Sequence, residues 1–477
     1  MTTALDGILL SLDTDPEKIR VEYRGRGFTG AQLRGRIAAR AADLQHAGLR
    51  QGDMALVIVS DNLSAIEQLL ACWVLGAGGT LVDFRTPSSR IDEWRQRLQP
   101  ALVVGTREVL GQAVHAQPRD LAPVTATPLH SALPTHVAPE HLAICVSSSG
   151  TTGLPSLTDV TQGRLGWILE TLNADAQAVR DGTFLSALSV GFSASCYIWL
   201  RLLLSGRKIL ALDLIHRITE LDAALKRTDV VECGLSPTAI RQLCALPMDN
   251  IPRYPQLVRL ASVGGPARPE DKVAAVGKLS PAYSMNYSCI GVGLVSRITG
   301  VEILERPASC GKLEPTVILE ICDGDRKCGP GEIGEILIST PRLSGHRPGD
   351  LGWLDADGYL YVTGRVQGLL SRNGVNFSAE RLVATALACP DVVDASVVAL
   401  KDSDDGDEVH LVVQTDPSAV HRIKAAFAAH LRSRLAAAEY PDRLHVWTEL
   451  PLTAGGKVDS RALTQMVREA LHDTRTA

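Results

Sequence analysis

The 477-residue sequence contains no CxxC pair, and its ten cysteines (positions 72, 145, 196, 233, 244, 289, 310, 322, 328 and 389) are scattered along the chain. Metal clusters and disulfide frameworks need tighter grouping, so reduced thiols in a cytoplasmic protein are expected. A basic block is also missing, and 48 Lys+Arg against 53 Asp+Glu leave a net charge of −5. That balance gives no support to a nucleic-acid partner. The N-terminus, Met-Thr-Thr-Ala-Leu-Asp, lacks the basic segment and apolar run of a secretory leader. The most apolar early stretch, Ala55-Leu-Val-Ile-Val-Ser60, is broken by Asp61-Asn62 and is too short to cross a bilayer, so no membrane partner is expected. There is no internal repeat, no low-complexity linker and no GxxxxGK[ST] phosphate loop.

What is present is an ordinary globular composition, 45% hydrophobic and 21% charged. The length allows roughly two to four domains with a large core. Short apolar runs at 55–60, 80–84, 102–105, 141–146, 183–188, 208–212, 230–233 and 257–263 read as strands. Helical stretches separate most of them. One is Ser64–Gly76, with Leu69, Leu70, Trp73 and Val74 on one side, and another surrounds Ala239–Leu246. This alternation predicts an α/β fold of stacked, mostly parallel sheets with helices on their faces. After about residue 310 the runs shorten and are punctuated by Gly and Asp, as at 331–339 and 358–363, which predicts antiparallel β structure. A smaller α+β unit follows Arg365, with strands at 395–400 and 409–414 and an Ala-rich helix over about 420–437. The segment 116–139, rich in proline and histidine, reads as a surface loop.

The run 141–146 leads into Ser148, Ser149, Gly150, Thr151, Thr152 and Gly153. Hydroxyls and free N–H groups after a strand are suited to wrapping phosphate oxygens, although such a run is also what a flexible turn looks like. Two further segments decide between these readings. One is Gly349-Asp-Leu-Gly-Trp-Leu-Asp-Ala-Asp-Gly-Tyr-Leu-Tyr-Val-Thr-Gly-Arg365. The other is Leu450-Pro-Leu-Thr-Ala-Gly-Gly-Lys-Val-Asp-Ser-Arg-Ala-Leu463. In this order and spacing the three resemble the acyl-adenylate-forming superfamily: acyl-CoA synthetases, adenylation domains of nonribosomal peptide synthetases, and luciferases. The resemblance runs from about residue 50 to 465.

The resemblance implies an N-terminal domain over 1–365 that binds ATP and a carboxylic acid, and a mobile C-terminal domain over 366–477. The hinge falls at Gln367, a position that need only absorb a change in φ/ψ. The first half-reaction makes acyl-AMP and pyrophosphate with ATP and Mg²⁺, and the second passes the acyl group to a nucleophile. Lys457 corresponds to the catalytic lysine that bridges carboxylate and α-phosphate, where an ammonium neutralises developing charge. Asp350 corresponds to the residue that accepts from the ribose hydroxyls, and Arg365 to a donor to ribose or phosphate. Gly264, Gly265 and Pro266 correspond to the segment against adenine, and Tyr287 stacks on its other face or is a core tyrosine. Asp355 and Asp357 read as turn residues.

Phe192, Ser193, Ala194, Tyr197 and Asn286 correspond to the acid pocket. Amino-acid-activating members carry an aspartate where this chain has Ser193, and no acidic residue lies between Phe184 and Leu204. An unpaired buried ammonium costs several kcal/mol, so the expected substrate is a non-amino acid of aryl, alkyl or polycyclic type. Gly374 matches the glycine beside the pantetheine tunnel, or is simply a turn glycine. Read as the former, it points to CoA or a carrier-protein phosphopantetheine as acceptor, with secondary metabolism as the setting. An amide synthetase and a degenerate nucleotide- or acid-binding protein are the alternatives. Three positions depart from the family pattern around the phosphates. Ser156 stands where a lysine is usual, and Ile290 and Gly291 replace a Thr-Glu pair whose glutamate helps hold Mg²⁺. The metal ligands are therefore left open.

Overall fold

The computed structural model describes the chain except residues 1–2, 87, 106–118, 121–136, 148–156, 175–181, 248–250, 266, 367–368, 373–374, 403–405, 433, 436–438, 454–456 and 477. Two compact units emerge, one of Met1–Ser148 with Pro155–Ala308 and one containing Ser309–Ala477. Among the described residues, which include all ten cysteines, there is no disulfide. Burial pushes the Cys72 and Cys196 thiols up to about 12, so both are inert core residues. Among the described residues no helix is long and apolar enough to cross a membrane.

The first unit holds two sheets. One contains β1 (Ile19–Tyr23), β2 (Arg26–Thr29), β9 (Thr183–Ser186), β10 (Lys208–Ala211), β11 (Val230–Leu235), β12 (Arg259–Ser262), β13 (Tyr283–Cys289) and β14 (Gly293–Thr299). Their order across the sheet is β14-β13-β12-β11-β9-β10-β1-β2, parallel except for the two outermost pairs. The other contains β3 (Met54–Val59), β4 (Gly78–Asp83), β5 (Leu102–Gly105), β6 (Arg119–Asp120), β7 (Leu142–Ser147) and β8 (Leu157–Thr161), in the order β6-β5-β3-β4-β7-β8. The α/β rhythm thus starts at Ile19, well before the first predicted strand. Val21 of β1 pairs with Ile209 of β10, and a five-residue strand with alternating polar positions gives little sequence signal for that partner.

Helices α1 (Ala4–Thr14), α2 (Gly30–His46), α3 (Asn62–Val74), α4 (Gln162–Ala174) and α5 (Ser193–Leu204) share one apolar core with strands of both sheets. Strand β3 shows how this works. Ala55, Val57 and Val59 enter that core, while Leu56 and Ile58 point the other way against Ile91 and Trp94. A strand buried on both faces needs a continuous apolar run, which is what Ala55–Val59 supplies. Helix α3 differs from its predicted one-sided pattern, because every residue except Ser64 is buried. It is packed by β3, β4 and α2 together. The charge this buries, Glu67, is paired with Arg36 of α2, one N–H···O contact being 2.8 Å. Trp73 on α3 is fully buried and donates its indole N–H to the Ala143 carbonyl of β7.

The second unit begins with antiparallel β structure, as predicted. It comprises β15 (Gly311–Leu313), β16 (Ile318–Asp323), β17 (Arg326–Lys327), β18 (Gly334–Thr340), β19 (Leu343–His346), β20 (Asp350–Leu354) and β21 (Tyr359–Arg365). A separate sheet follows, formed by β22 (Leu369–Arg372), β23 (Val375–Ser378), β24 (Asp394–Asp402), β25 (Gly406–Gln414) and β26 (Arg443–Trp447). Helices α6 (Ala379–Leu387), α7 (Val420–Arg432) and α8 (Ser460–Thr476) accompany it. Leu382, Leu411, Phe427 and Leu431 form its main core, and Val398, Val412, Leu463 and Val467 a second one.

Candidate active site

In the first unit the candidate residues gather at the carboxyl ends of the parallel strands, where open α/β sheets bind ligands. Phe192 follows β9 and precedes α5, Gly264 and Gly265 follow β12, and Asn286 and Tyr287 lie on β13. A Cβ at Gly264 would stand 2.4 Å from Phe192 Cζ, and Gly264 has φ +92. Glycine is therefore required there twice over, for the backbone turn and for the ring that rests on it. Gly191 likewise abuts Asp83, since a Cβ would lie 2.8 Å from the Asp83 amide nitrogen. Asp83 is held in a bidentate pair with Arg85, with contacts of 2.8 Å to both carboxylate oxygens. Neither residue of that pair stood out in the sequence.

Phe192, Ser193 and Ala194 are half-buried at the start of α5, whereas Tyr197 one turn later is buried. Its phenol oxygen has no hydrogen-bond partner among the described residues, and the same is true of Asn286 Oδ1. Burial raises the Tyr197 phenol well above the usual tyrosine range, while the nearby Arg164 guanidinium pulls it down. Tyr287 is half-buried on β13, unlike the fully buried Tyr283 of the same strand. Gly291 has φ +76, and a Cβ there would meet Arg164 Nη2 at 2.9 Å. Arg164 Nε donates to the Gly291 carbonyl over 3.0 Å. The position that the resemblance assigns to a metal-holding carboxylate therefore offers no side-chain ligand and is flanked by a cation.

In the second unit, the antiparallel register of β20 and β21 sets Asp350 opposite Arg365. Arg365 Nε donates to Asp350 Oδ1 over 3.0 Å, and Asp350 is buried. The turn joining these strands is tied by Asp355, whose Oδ1 accepts from the amides of Asp357 (3.0 Å) and Tyr359 (2.8 Å). Trp353 and Tyr361 stack across the strand pair with centroids 4.0 Å apart. Asp355 thus has the turn role expected from sequence.

Lys457 sits on a short hairpin closed by an antiparallel bridge between Leu452 and Val458. Thr453 N donates to the Lys457 carbonyl (2.6 Å), and Lys457 N donates to Thr453 Oγ1 (3.2 Å). Asp459 then accepts from the amides of Arg461 and Ala462, at 3.1 and 3.2 Å, which fastens the hairpin to the first turn of α8. The lysine is half-buried. Burial, and then the Arg365 guanidinium, lower its ammonium below the usual lysine range. Burial and a neighbouring guanidinium thus act on the Lys457 ammonium together, and that guanidinium is itself ion-paired with Asp350. Ser148, Ser149, Gly150, Thr151, Thr152, Gly153, Ser156, Pro266, Gln367 and Gly374 lie outside the described residues.

Comparison with known families bears on the same stretches. The family description "AMP-binding enzyme" matches residues 11–345, and "AMP-binding enzyme C-terminal domain" matches residues 384–457. The chain belongs to the AMP-binding enzymes. Membership reaches further toward the N-terminus than the sequence motifs alone indicated. Relatives among the AMP-binding enzymes include a 2-succinylbenzoate–CoA ligase of Geobacillus kaustophilus, 26% identical over 98% of this chain and 99% of its own length. A feruloyl-CoA synthase of Amycolatopsis is 25% identical over 93% of this chain and 94% of its own. The fold matches that of o-succinylbenzoate CoA synthetase from Bacillus subtilis, with TM-score 0.83, 18% identity and coverage of 96% of this chain and 97% of that one. It also matches an amide bond synthetase from Marinactinospora thermotolerans, with TM-score 0.79, 21% identity and coverage of 97% and 99%.

Proposed function

We propose that this AMP-binding enzyme activates a carboxylic acid without an α-amino group as its acyl-adenylate, releasing pyrophosphate, and transfers the acyl group to the thiol of CoA or a phosphopantetheine carrier. The observation that carries this reading is the half-buried Lys457, poised where the Arg365 guanidinium is felt and Arg365 is paired with Asp350. The carboxylate oxygen attacks the α-phosphorus of ATP, and the bond to the pyrophosphate oxygen breaks. Lys457 neutralises charge on the two anions as they close on each other. Asp350 accepts from the ribose hydroxyls and Arg365 donates beside it. Gly264 and Gly265 on one side, with Tyr287 on the other, sandwich the adenine. The loop 148–153 wraps the phosphates, Gly374 borders the path of the thiol arm, and 366–477 rotates about Gln367 between the half-reactions.

The substrate class follows from the pocket side chains. Phe192, Ala194, Tyr197, Ser193 and Asn286 supply an apolar lining with neutral polar handles, and Ser193 leaves an ammonium without a partner. That suits an aryl, alkyl or polycyclic acid. Relatives named for CoA ligation of aromatic acids, alignable over nearly the whole chain, support both the acid class and the thiol acceptor. Secondary metabolism is the setting this reading favours.

The test is pyrophosphate release from the full chain with ATP, Mg²⁺ and a panel of non-amino carboxylic acids, with CoA or an amine added and product masses read. Release with an aromatic or alkyl acid, followed by a thioester mass, is expected. Release followed only by an amide mass would move the chain to amide synthesis. No release with any acid would leave a nucleotide-binding protein without turnover.

A further inference from the structure

Arg164 lies in the first turn of α4, the helix entered directly from β8. Its Nε donates to the Gly291 carbonyl, and its Nη2 and Cζ stand 2.9 and 3.3 Å from where a Cβ at 291 would be. The guanidinium therefore fills the space into which any side chain at 291 would grow. Among the described residues no carboxylate pairs with it, so its outer N–H groups keep a full positive charge to offer. The buried Tyr197, whose hydroxyl is without a partner among the described residues, feels that charge. A guanidinium fixed through Nε, with its Nη donors left over and no carboxylate among the described residues to receive them, is suited to an anion.

We propose that Arg164 binds the β- and γ-phosphate oxygens of ATP directly, so that a fixed guanidinium holds the end of the nucleotide at residue 291 where no carboxylate can hold a metal. A planar fork fixed through Nε still presents its Nη donors, which match phosphate oxygens in pairs. Magnesium can still bind through phosphate oxygens and water, but nucleotide affinity no longer depends on it as steeply. The choice of ligand rests on the adenylation reading; the test does not, because ATP binding is read without any acid.

The experiment is calorimetric titration of the full chain with ATP and with AMP, each in EDTA and in Mg²⁺. The wild type is expected to bind ATP in EDTA within about tenfold of its affinity with Mg²⁺. Arg164→Ala is expected to weaken metal-free ATP by about tenfold or more while AMP changes by less than about twofold. Arg164→Lys keeps the charge without the fork and should restore part of the loss. Equal loss for ATP and AMP, no loss for either, or a change confined to the KM of the acid would overturn the proposal. So would a wild type that binds ATP only with Mg²⁺. Thermal unfolding checks that the alanine variant folds; if it does not, the lysine variant and the wild-type EDTA comparison decide. Failure of every acid to release pyrophosphate, with these binding results intact, would refute the function and leave Arg164 in place.

Discussion

Lys457 is destabilised as an ammonium before any ligand arrives, first by burial and then by Arg365. Its pKa therefore lies below its unfolded value. As pH rises, the free enzyme loses the charge it needs at a lower pH than an ordinary lysine of about 10.4 would. The alkaline limb of kcat/KM for adenylation should fall in that lowered range. The limb of kcat at saturating ATP should lie higher, because bound triphosphate favours the charged form. Lys457→Ala should cut pyrophosphate release by about 10²–10³-fold while leaving transfer from supplied acyl-adenylate far less affected. Equal loss in both halves would make the lysine structural. Lys457, Asp350 and Arg365 stand out in the sequence because each sits in a dense motif. Arg164 does not, since an arginine early in a helix reads as a solvated side chain until the fold places the Gly291 carbonyl against it.

At the scale of the element, the site depends on short devices that hold strands in register. Asp355 accepts two backbone amides across the β20–β21 turn, and that turn sets Asp350 opposite Arg365. Asp355→Ala should cost about 1–2 kcal/mol, read as a lower unfolding temperature, and should raise the KM for ATP. Asp355→Asn keeps an acceptor oxygen and should lose much less. Turn and strand signals of this kind survive in sequence because glycine and aspartate punctuate them. Predicted strands such as 102–105 and 208–212 accordingly lie within a residue or so of the observed Leu102–Gly105 and Lys208–Ala211. Helix α3 was harder. Its polar residues Glu67 and Gln68 imply an exposed face, and the pairing of Glu67 with Arg36 of α2 offsets the burial of that charge.

For the whole molecule, the proposed cycle needs the segment after Arg365 to change its backbone angles between half-reactions. Proline at 367 limits φ and removes an N–H, so Gln367→Pro should leave adenylation within a few-fold while slowing thioester formation by about 10²-fold. Single-turnover measurement of pyrophosphate and thioester separates the two, and a parallel fall in both would count against the rotation. The chain by itself determined the alternation of buried strands and helices, the change to antiparallel β structure near residue 310, and the identity of the motif residues. Each of these is a matter of local periodicity or of side chains close in sequence. Tertiary structure decided which distant residues meet: Phe192 on Gly264, Arg164 on Gly291, and the Arg365 charge on Lys457. Contact and desolvation are properties of neighbours in space, and the spacing of residues along a chain carries no record of them.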